Sequence, residues 1–389
     1  MTKYSIATNL LIDLIKCPSI TPIEAGSLDV VEQFLTPLGF TCHRLKFEGD
    51  GSYPVDNLFA TRGTKGRHLL FGGHVDVVPV GDEIQWTHHP FSAHVEDGVL
   101  WGRGATDMKS GVAAFCSAIE KLVKNGNADN GIISLAITMD EEADAINGTE
   151  KILFWAKEQG YKFDFSIVGE PSSSKAVGDR IKIGRRGSFD GLITVIGKQG
   201  HIAYPEKCKN PIPIIAAIAS AITSKPLDEG DEHFQPSSLQ ISTIDVGNKA
   251  TNIIPEKAIL RFNVRHNDLW NQTSLFTHIK SQIDKIDPNG CEVIFESPTR
   301  GANCFIFPPA DDVALLDEII KNVTGSNTKP DHSTTGGTSD ARFIALHCPV
   351  VECGLVGDHM HAVDERVPLR QVDLLTDIYA NFIERFFSK

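Results

Sequence analysis

Five short segments of this chain carry side chains that bind metal ions, and long stretches separate them. "HVDVVP" supplies His74 and Asp76, and "GRGATDMKSG" supplies Asp107. "TMDEEA" supplies Asp140, Glu141 and Glu142, "VGEPSS" supplies Glu170, and "GDHMHAVDE" supplies His359 and His361. Singly, each is ordinary: an acid ahead of a helix caps it, and a lone histidine late in a chain is solvated. Jointly they offer imidazole nitrogen and carboxylate oxygen, the donor set of zinc. Three consecutive acids repel one another unless cationic charge lies beside them, and bound ions provide that charge. The chemistry this suggests is two-metal hydrolysis, in which ions about 3.5–4 Å apart share a bridging ligand and activate a water. Asp107 has two oxygens with which to bridge. Each ion would then have a histidine and a glutamate of its own. The water's proton needs an acceptor. Of Glu141 and Glu142, neighbours pointing in different directions, one can ligate while the other stays free as general base.

Most of these segments follow strand-like runs. From about residue 66 to 171 strand and helix alternate. "RHLLFGGHVDVVP" is a buried strand entering a loop, and "SGVAAFCSAIEKLVKNG" (110–126) is an amphipathic helix closing at Gly126. "NGIISLAITMDEE" and "DFSIVGEP" are further strands. Such alternation predicts an α/β fold, a mixed sheet flanked by helices. Ligands of such sheets collect beyond the carboxyl ends of strands. The idiom changes near residue 182. "SFDGLITVIGKQGHIAYP" alternates as a half-exposed strand, and "NPIPIIAAIASAITSK" (210–225) is a helix with proline early in its first turn. "SSLQISTIDVG" and "KAILRFNVRH" read as antiparallel strands, "QTSLFTHIKSQIDKI" as a helix and "CEVIFESP" as a strand. "ALLDEIIKNVTG" and "PVVECGLVG" return to the first idiom. The predicted organisation is a catalytic domain in two parts, 1–181 and 298–389, with an inserted α+β domain over 182–297.

Lys+Arg 37 against Asp+Glu 50 leaves a net charge of −13, which argues against nucleic-acid or anionic-membrane partners. The amino-terminal stretch, interrupted by Lys3, Asp13 and Lys16, reads as an amphipathic helix rather than a signal peptide. No apolar run reaches transmembrane length. The eight cysteines form no CxxC pair, so reduced, structural thiols and a cytoplasmic enzyme with a small-molecule substrate are expected.

In their order along nearly the whole chain, "HVDVVP", "GRGATDMKSG", "DEE", "GEP" and the late "HMHAVDE" resemble the M20 family of zinc metallohydrolases. The resemblance implies a zinc-peptidase-like catalytic domain with an inserted dimerisation domain. It implies two Zn2+ per subunit, with Co2+ able to substitute. His74 and Glu170 would hold one ion, Glu142 and His361 the other, and Asp107 would bridge. Glu141 would be the base and Asp76 the acid that orients His74. A cis peptide between Asp107 and Met108 is implied as well. His201 of "GKQGHIAYP" would reach the partner subunit's site in a homodimer and steady the oxyanion.

A narrower similarity, carried by "GEPSSSKAVGDRIKIGRRGSFDGLITVIGKQGHIAYP" and "GGTSDARF", points to members whose substrate bears several carboxylates. It places Lys182, Arg185, Ser188, Tyr204, Asn252, Arg265 and the Gly336-Gly337-Thr338 loop near substrate. The local charge fits, because Arg180, Lys182, Arg185 and Arg186 face only Asp179 over "DRIKIGRRGS". Taken alone, that island is equally a solvated strand face. "LVGDHM" ahead of His361 departs from better-known members, which carry a side chain such as Asn there. The alternatives are a deacylase for another N-acyl amino acid, such as acetylornithine, and a silent zinc-stabilised binding protein. Glu141 argues against the second, since a structural site needs no unliganded base.

Overall fold

The strand-and-helix alternation becomes an eight-stranded mixed sheet in the computed structural model, which describes residues 4–126, 130–308 and 310–388. From edge to edge its strands are Thr41–Gly49, Ser52–Arg62, Ile132–Thr138, His68–His74, Phe165–Val168, Val350–Glu352, Arg180–Lys182 and Asp331–Ser333. The neighbours His68–His74, Ile132–Thr138 and Phe165–Val168 run parallel, with Leu70 in register with both Ser134 and Ser166. Leu69, Leu70, Phe71, Leu135, Ile137 and Ile167 along them are all buried. A strand covered on both faces cannot alternate with polar residues, which is why these segments read as continuous apolar runs.

The helix predicted for 110–126 spans Lys109–Lys124 and is buried along its first eleven residues. Its Gly111 lies so close to the sheet that a Cβ there would sit 2.4 Å from the carbonyl oxygen of Gly169. Glycine at both positions brings the helix start against the strand end that precedes Glu170. The carboxy-terminal helix, Leu369–Phe387, packs on the same helix and buries Tyr379, Phe382 and Phe386. A small antiparallel sheet of Arg366–Pro368, Val99–Trp101 and His94–Glu96 turns at Asp97-Gly98, both at positive φ, the usual two-residue hairpin.

The chain divides into two compact units. One comprises Met1–Gly184, Phe307–Ser333 and Ser339–Lys389, and the other Arg185–Ile306 with Thr334–Thr338. The second unit is built on an antiparallel sheet ordered Ser238–Asp245, Lys257–His266, Gly187–Ile196 and Glu292–Glu296. Its two helices, Pro211–Thr223 and Gln272–Ile283, start at the residues best suited to it. Asn210 accepts from the N–H of Ile212 ahead of Pro211, and Asn271 with Ser274 forms a capping box. Phe189, Ile193, Val195, Ile215, Ile218, Leu260, Phe262 and Ile279 make its core. All eight cysteines are free thiols. Among the described residues, no helix is long and apolar enough to cross a membrane.

Candidate metal centre

Parallel strands in register end at one level, and the site is a consequence of that. His74 closes its strand opposite Thr138, so Asp140, Glu141 and Glu142 follow immediately at the same edge. Gly169 donates to the carbonyl of Gly72, which brings Glu170 alongside. Asp107, two residues before the buried helix, and His361 complete the group, all within the first unit. His74 Nε2 lies 3.4 Å from Asp107 Oδ1 and 3.4 Å from Glu170 Oε1. His361 Nε2 lies 3.4 Å from Asp107 Oδ2 and 3.1 Å from Glu142 Oε2. Two donors on one tetrahedral ion with bonds of about 2.0–2.1 Å are separated by roughly 3.3 Å. The three 3.4 Å separations therefore suit ligands sharing a cation better than direct hydrogen bonds, while His361 and Glu142 are also within hydrogen-bond reach of each other. His74 Nε2 and Asp107 Oδ1 are buried with no hydrogen-bond partner, a state that costs free energy unless something else binds them. The donors fit divalent metal ions: two oxygens of Asp107 face two different histidines.

The shifts in acidity tell the same story. Burial disfavours charge on His74, yet Asp107, Asp76 and Glu170 raise its pKa well above the ordinary imidazole value. Burial would raise Asp107, but the imidazoles of His361 and His74 beside it pull it down. Burial and then the charge of Asp107 push Glu170 up to about 8, while burial and then Glu170 raise Glu141 far above the carboxylate range. His361 is pushed up to about 10 by Asp107 and Glu142. Protons here compensate for crowded carboxylates, the role that a divalent cation fills.

Supporting contacts fix the ligand-bearing backbone. His74 Nδ1 is 3.0 Å from the carbonyl oxygen of Asp76 and 3.5 Å from its carboxylate. The Asp76 carboxylate accepts from the N–H groups of Glu141 and Glu142 and from Thr21 Oγ1. Asp76 thus ties the His74 strand to the acidic turn, more than the resemblance implied. Asp140, offered by the sequence as a third acid, accepts from the N–H groups of Ala145, Ile146 and Asn147 and from Tyr53, and holds the turn instead. Glu365 is the residue that sequence reasoning missed. Its buried carboxylate accepts from the N–H groups of Gly104, Thr106 and Asp107 and from Arg103 at 2.8 Å, so it sets the loop presenting Asp107. The peptide from Asp107 to Met108 is cis. His359 is half-buried, and burial, with Arg366 beside it, lowers its pKa.

The remaining predicted residues fall into separate groups. Lys182 is buried on its strand in the first unit. In the second unit His201 lies on a two-stranded ribbon, Gly200–His201 paired with Ile253–Ile254, with Tyr204 and Asn252 flanking it. The rings of His201 and Tyr204 are 5.8 Å apart, and Ile202 donates to the carbonyl of Asn252. Ser188 and Arg265 face each other across neighbouring strands. Arg185 donates to the carbonyl of Gly337 at 3.0 Å, and Thr338 follows in the same loop.

A mixed sheet with imidazoles and carboxylates converging at its strand ends is the architecture of a metal-dependent hydrolase. Residues 70–385 match the model of Peptidase family M20/M25/M40, and the chain belongs to that family. It is 48% identical over 389 residues, all of both chains, to a succinyl-diaminopimelate desuccinylase of Rhodopseudomonas palustris (strain BisB5). It is 46% identical over 387 residues, 98% of this chain and 99% of the relative, to one of Bradyrhizobium diazoefficiens. Among solved structures, the fold matches an M20 family metallo-carboxypeptidase from Sulfolobus solfataricus with a TM-score of 0.79 at 18% identity, covering 100% of each chain. It matches aminopeptidase PepT from Bacillus cereus with a TM-score of 0.76 at 23% identity, covering 99% of this chain and 98% of the other.

Proposed function

We propose that this protein is a dinuclear zinc amidohydrolase that splits N-succinyl-LL-2,6-diaminopimelate into succinate and LL-2,6-diaminopimelate, a cytoplasmic step toward lysine. The observation that carries the reading is the set of unshared buried donors, His74 Nε2 and Asp107 Oδ1, in a chain similar over its whole length to desuccinylases. His74 and Glu170 would hold one ion, Glu142 and His361 the other, and Asp107 both. Bound there, divalent ions polarise an acyl carbonyl and acidify a water. Glu141 stands 3.9 Å from His74 Nε2 and is the carboxylate left over once those ligands are assigned. It takes the proton of the attacking water and delivers it to the amine nitrogen as the C–N bond breaks. Lys182, Arg185 and Arg265 supply cations, and Ser188, Tyr204, Asn252 and the Gly337-Thr338 loop supply polar contacts, for a substrate with several carboxylates.

The second unit would serve for dimerisation. His201 and Ile253 are exposed on the ribbon and Ile202 and Tyr204 beside it, and Ile244 is exposed on the edge strand Ser238–Asp245. An exposed edge and apolar cluster support a second copy as partner. His201 would then donate from its imidazole to the carbonyl oxygen in the partner subunit's site as that oxygen gains charge. The test is succinate release by the purified protein, assayed with Zn2+, with Co2+ and with chelator, beside N-acetylornithine. Faster release of acetate from acetylornithine would replace this substrate with the other N-acyl amino acid.

A further inference from the structure

A second cluster of metal-binding side chains lies outside the site described above. The segment "THHPFSAHVEDGVLW" brings His88, His94 and Glu96 together, with one donor atom of each within 4.8 Å of the others. His94 and Glu96 are two apart on one strand and so share a face. Glu96 Oε2 is 3.6 Å from His88 Nε2 and 3.9 Å from His94 Nε2. Both separations exceed a hydrogen bond, and they are about 0.3 and 0.6 Å longer than the roughly 3.3 Å edge of a tetrahedral zinc site. The backbone is already held. Thr87 donates through its N–H and hydroxyl to Asp364, and Arg103 donates through its N–H to the carbonyl of Pro90, which fixes the loop on either side of His88. The edge of Trp101 meets the His88 ring at 5.4 Å, and Trp101 is the cross-strand partner of His94.

From this geometry we propose a further transition-metal site, with His88, His94 and Glu96 as ligands and solvent completing the coordination of a Zn2+ ion. Two imidazoles and one carboxylate favour zinc over magnesium or calcium, which prefer all-oxygen sites. The imidazole rings stack with centroids 3.8 Å apart, so their lone pairs run side by side. His94, the more exposed of the two, turns about its side-chain bonds to converge on the ion. The site would brace the sheet that leads into the Asp107 loop. Its strand Val99–Trp101 pairs with Arg366–Pro368, directly after Glu365, whose carboxylate holds that loop. Binding there would stabilise the folded chain by mass action.

The experiment uses the untagged full-length chain, dialysed to equilibrium against Zn2+ at neutral pH, with bound metal counted by elemental analysis. Wild type is expected to bind one more equivalent than the H88A/H94A double variant. Glu96→Gln, which keeps both rings and guards against a misfolded double variant, should weaken that equivalent by about 10–100-fold. Hydrolysis with the carboxylate centre saturated with metal should be the same in all three proteins. The Tm gained when Zn2+ is raised beyond the catalytic requirement should be largest in wild type, smaller in Glu96→Gln and absent from the double variant. Because the count is a difference between chains, it does not depend on how many ions the carboxylate centre takes. Equal zinc content and an equal Tm gain in wild type and both variants would overturn the proposal.

Discussion

The strand-end centre and the His201 ribbon carry similar side chains in opposite physical settings. In the first, His74 and Asp107 are buried, and their neighbours are held by backbone hydrogen bonds to Asp76, Asp140 and Glu365. In the second, His201 and Tyr204 lie exposed with their rings side by side, and Lys207 sits over the ring of Tyr204. A sheet covered on both faces leaves only its strand ends for polar groups, so charge gathers there and must be neutralised by protons or ions. A short exposed ribbon cannot desolvate its own imidazole. Its chemistry waits for another surface.

That contrast can be broken most severely within the acidic pair. Glu141→Gln should lower turnover by about 10²–10⁴-fold while leaving the metal content unchanged, because a base is lost and no ligand. Glu142→Gln should lose activity together with metal, through the lost partner of His361. Elemental analysis of both variants decides the assignment. Zinc lost from the Glu141 variant alone would reverse the two roles.

Glu365→Gln strikes the support rather than the ligands. It leaves the Arg103 guanidinium buried without its anion, and should destabilise the chain by about 3–5 kcal/mol in urea unfolding. Loosening the Asp107 loop should also weaken metal binding by about 10–100-fold. Unchanged stability would mean that Glu365 only fills space.

On the exposed side, His201→Ala should cost about 10²–10³-fold in turnover with metal retained. Mixing His201→Ala with Glu141→Gln under subunit exchange pairs one site lacking both groups with one site intact. Part of the activity should return. If exchange is confirmed by native mass spectrometry and no activity returns, His201 does not act across a dimer.

The two settings also differed in how much the sequence revealed. The central strands were legible because continuous apolar runs bounded by glycine have few other uses, and their ends located His74, Glu141, Glu142 and Glu170. The helix 110–126 was legible from its period and its closing glycine, and forms as Lys109–Lys124. Asp140 was not separable from its neighbours, since a carboxylate that caps a turn and one that ligates have the same composition around them. Glu365 was invisible for a related reason. Its partners are backbone N–H groups some 260 residues earlier, and N–H groups leave no mark in a sequence. The segment "HMHAVDE" contains it, and an acid four residues after a late histidine was the only available signal.

The smallest effect belongs to a histidine at the other end of the same strand. His74 closes the strand His68–His74 among several carboxylates, whereas His68 opens it buried, with a single carboxylate, that of Asp164, accepting from its backbone N–H. His68 Nε2 is 2.8 Å from Ser134 Oγ, and its ring packs on Phe163 with centroids 4.7 Å apart. Burial lowers its pKa to about 4. In the unfolded chain an imidazole titrates near 6.5, so between those values the unfolded state takes up the proton and the folded state does not. Stability from this residue is therefore intact above pH ~6.5 and declines as the pH falls toward ~4. Going from pH 7 to pH 5 should cost about 2 kcal/mol through His68 alone. His68→Gln keeps a polar partner for Ser134 and has no such titration. Urea unfolding of both proteins at the two pH values, with metal saturating, isolates the term, because the other groups titrate alike in each. The wild type should lose about 2 kcal/mol more than the variant. Equal losses would show that His68 is protonated in the folded chain, and that burial does not separate the two ends of this strand.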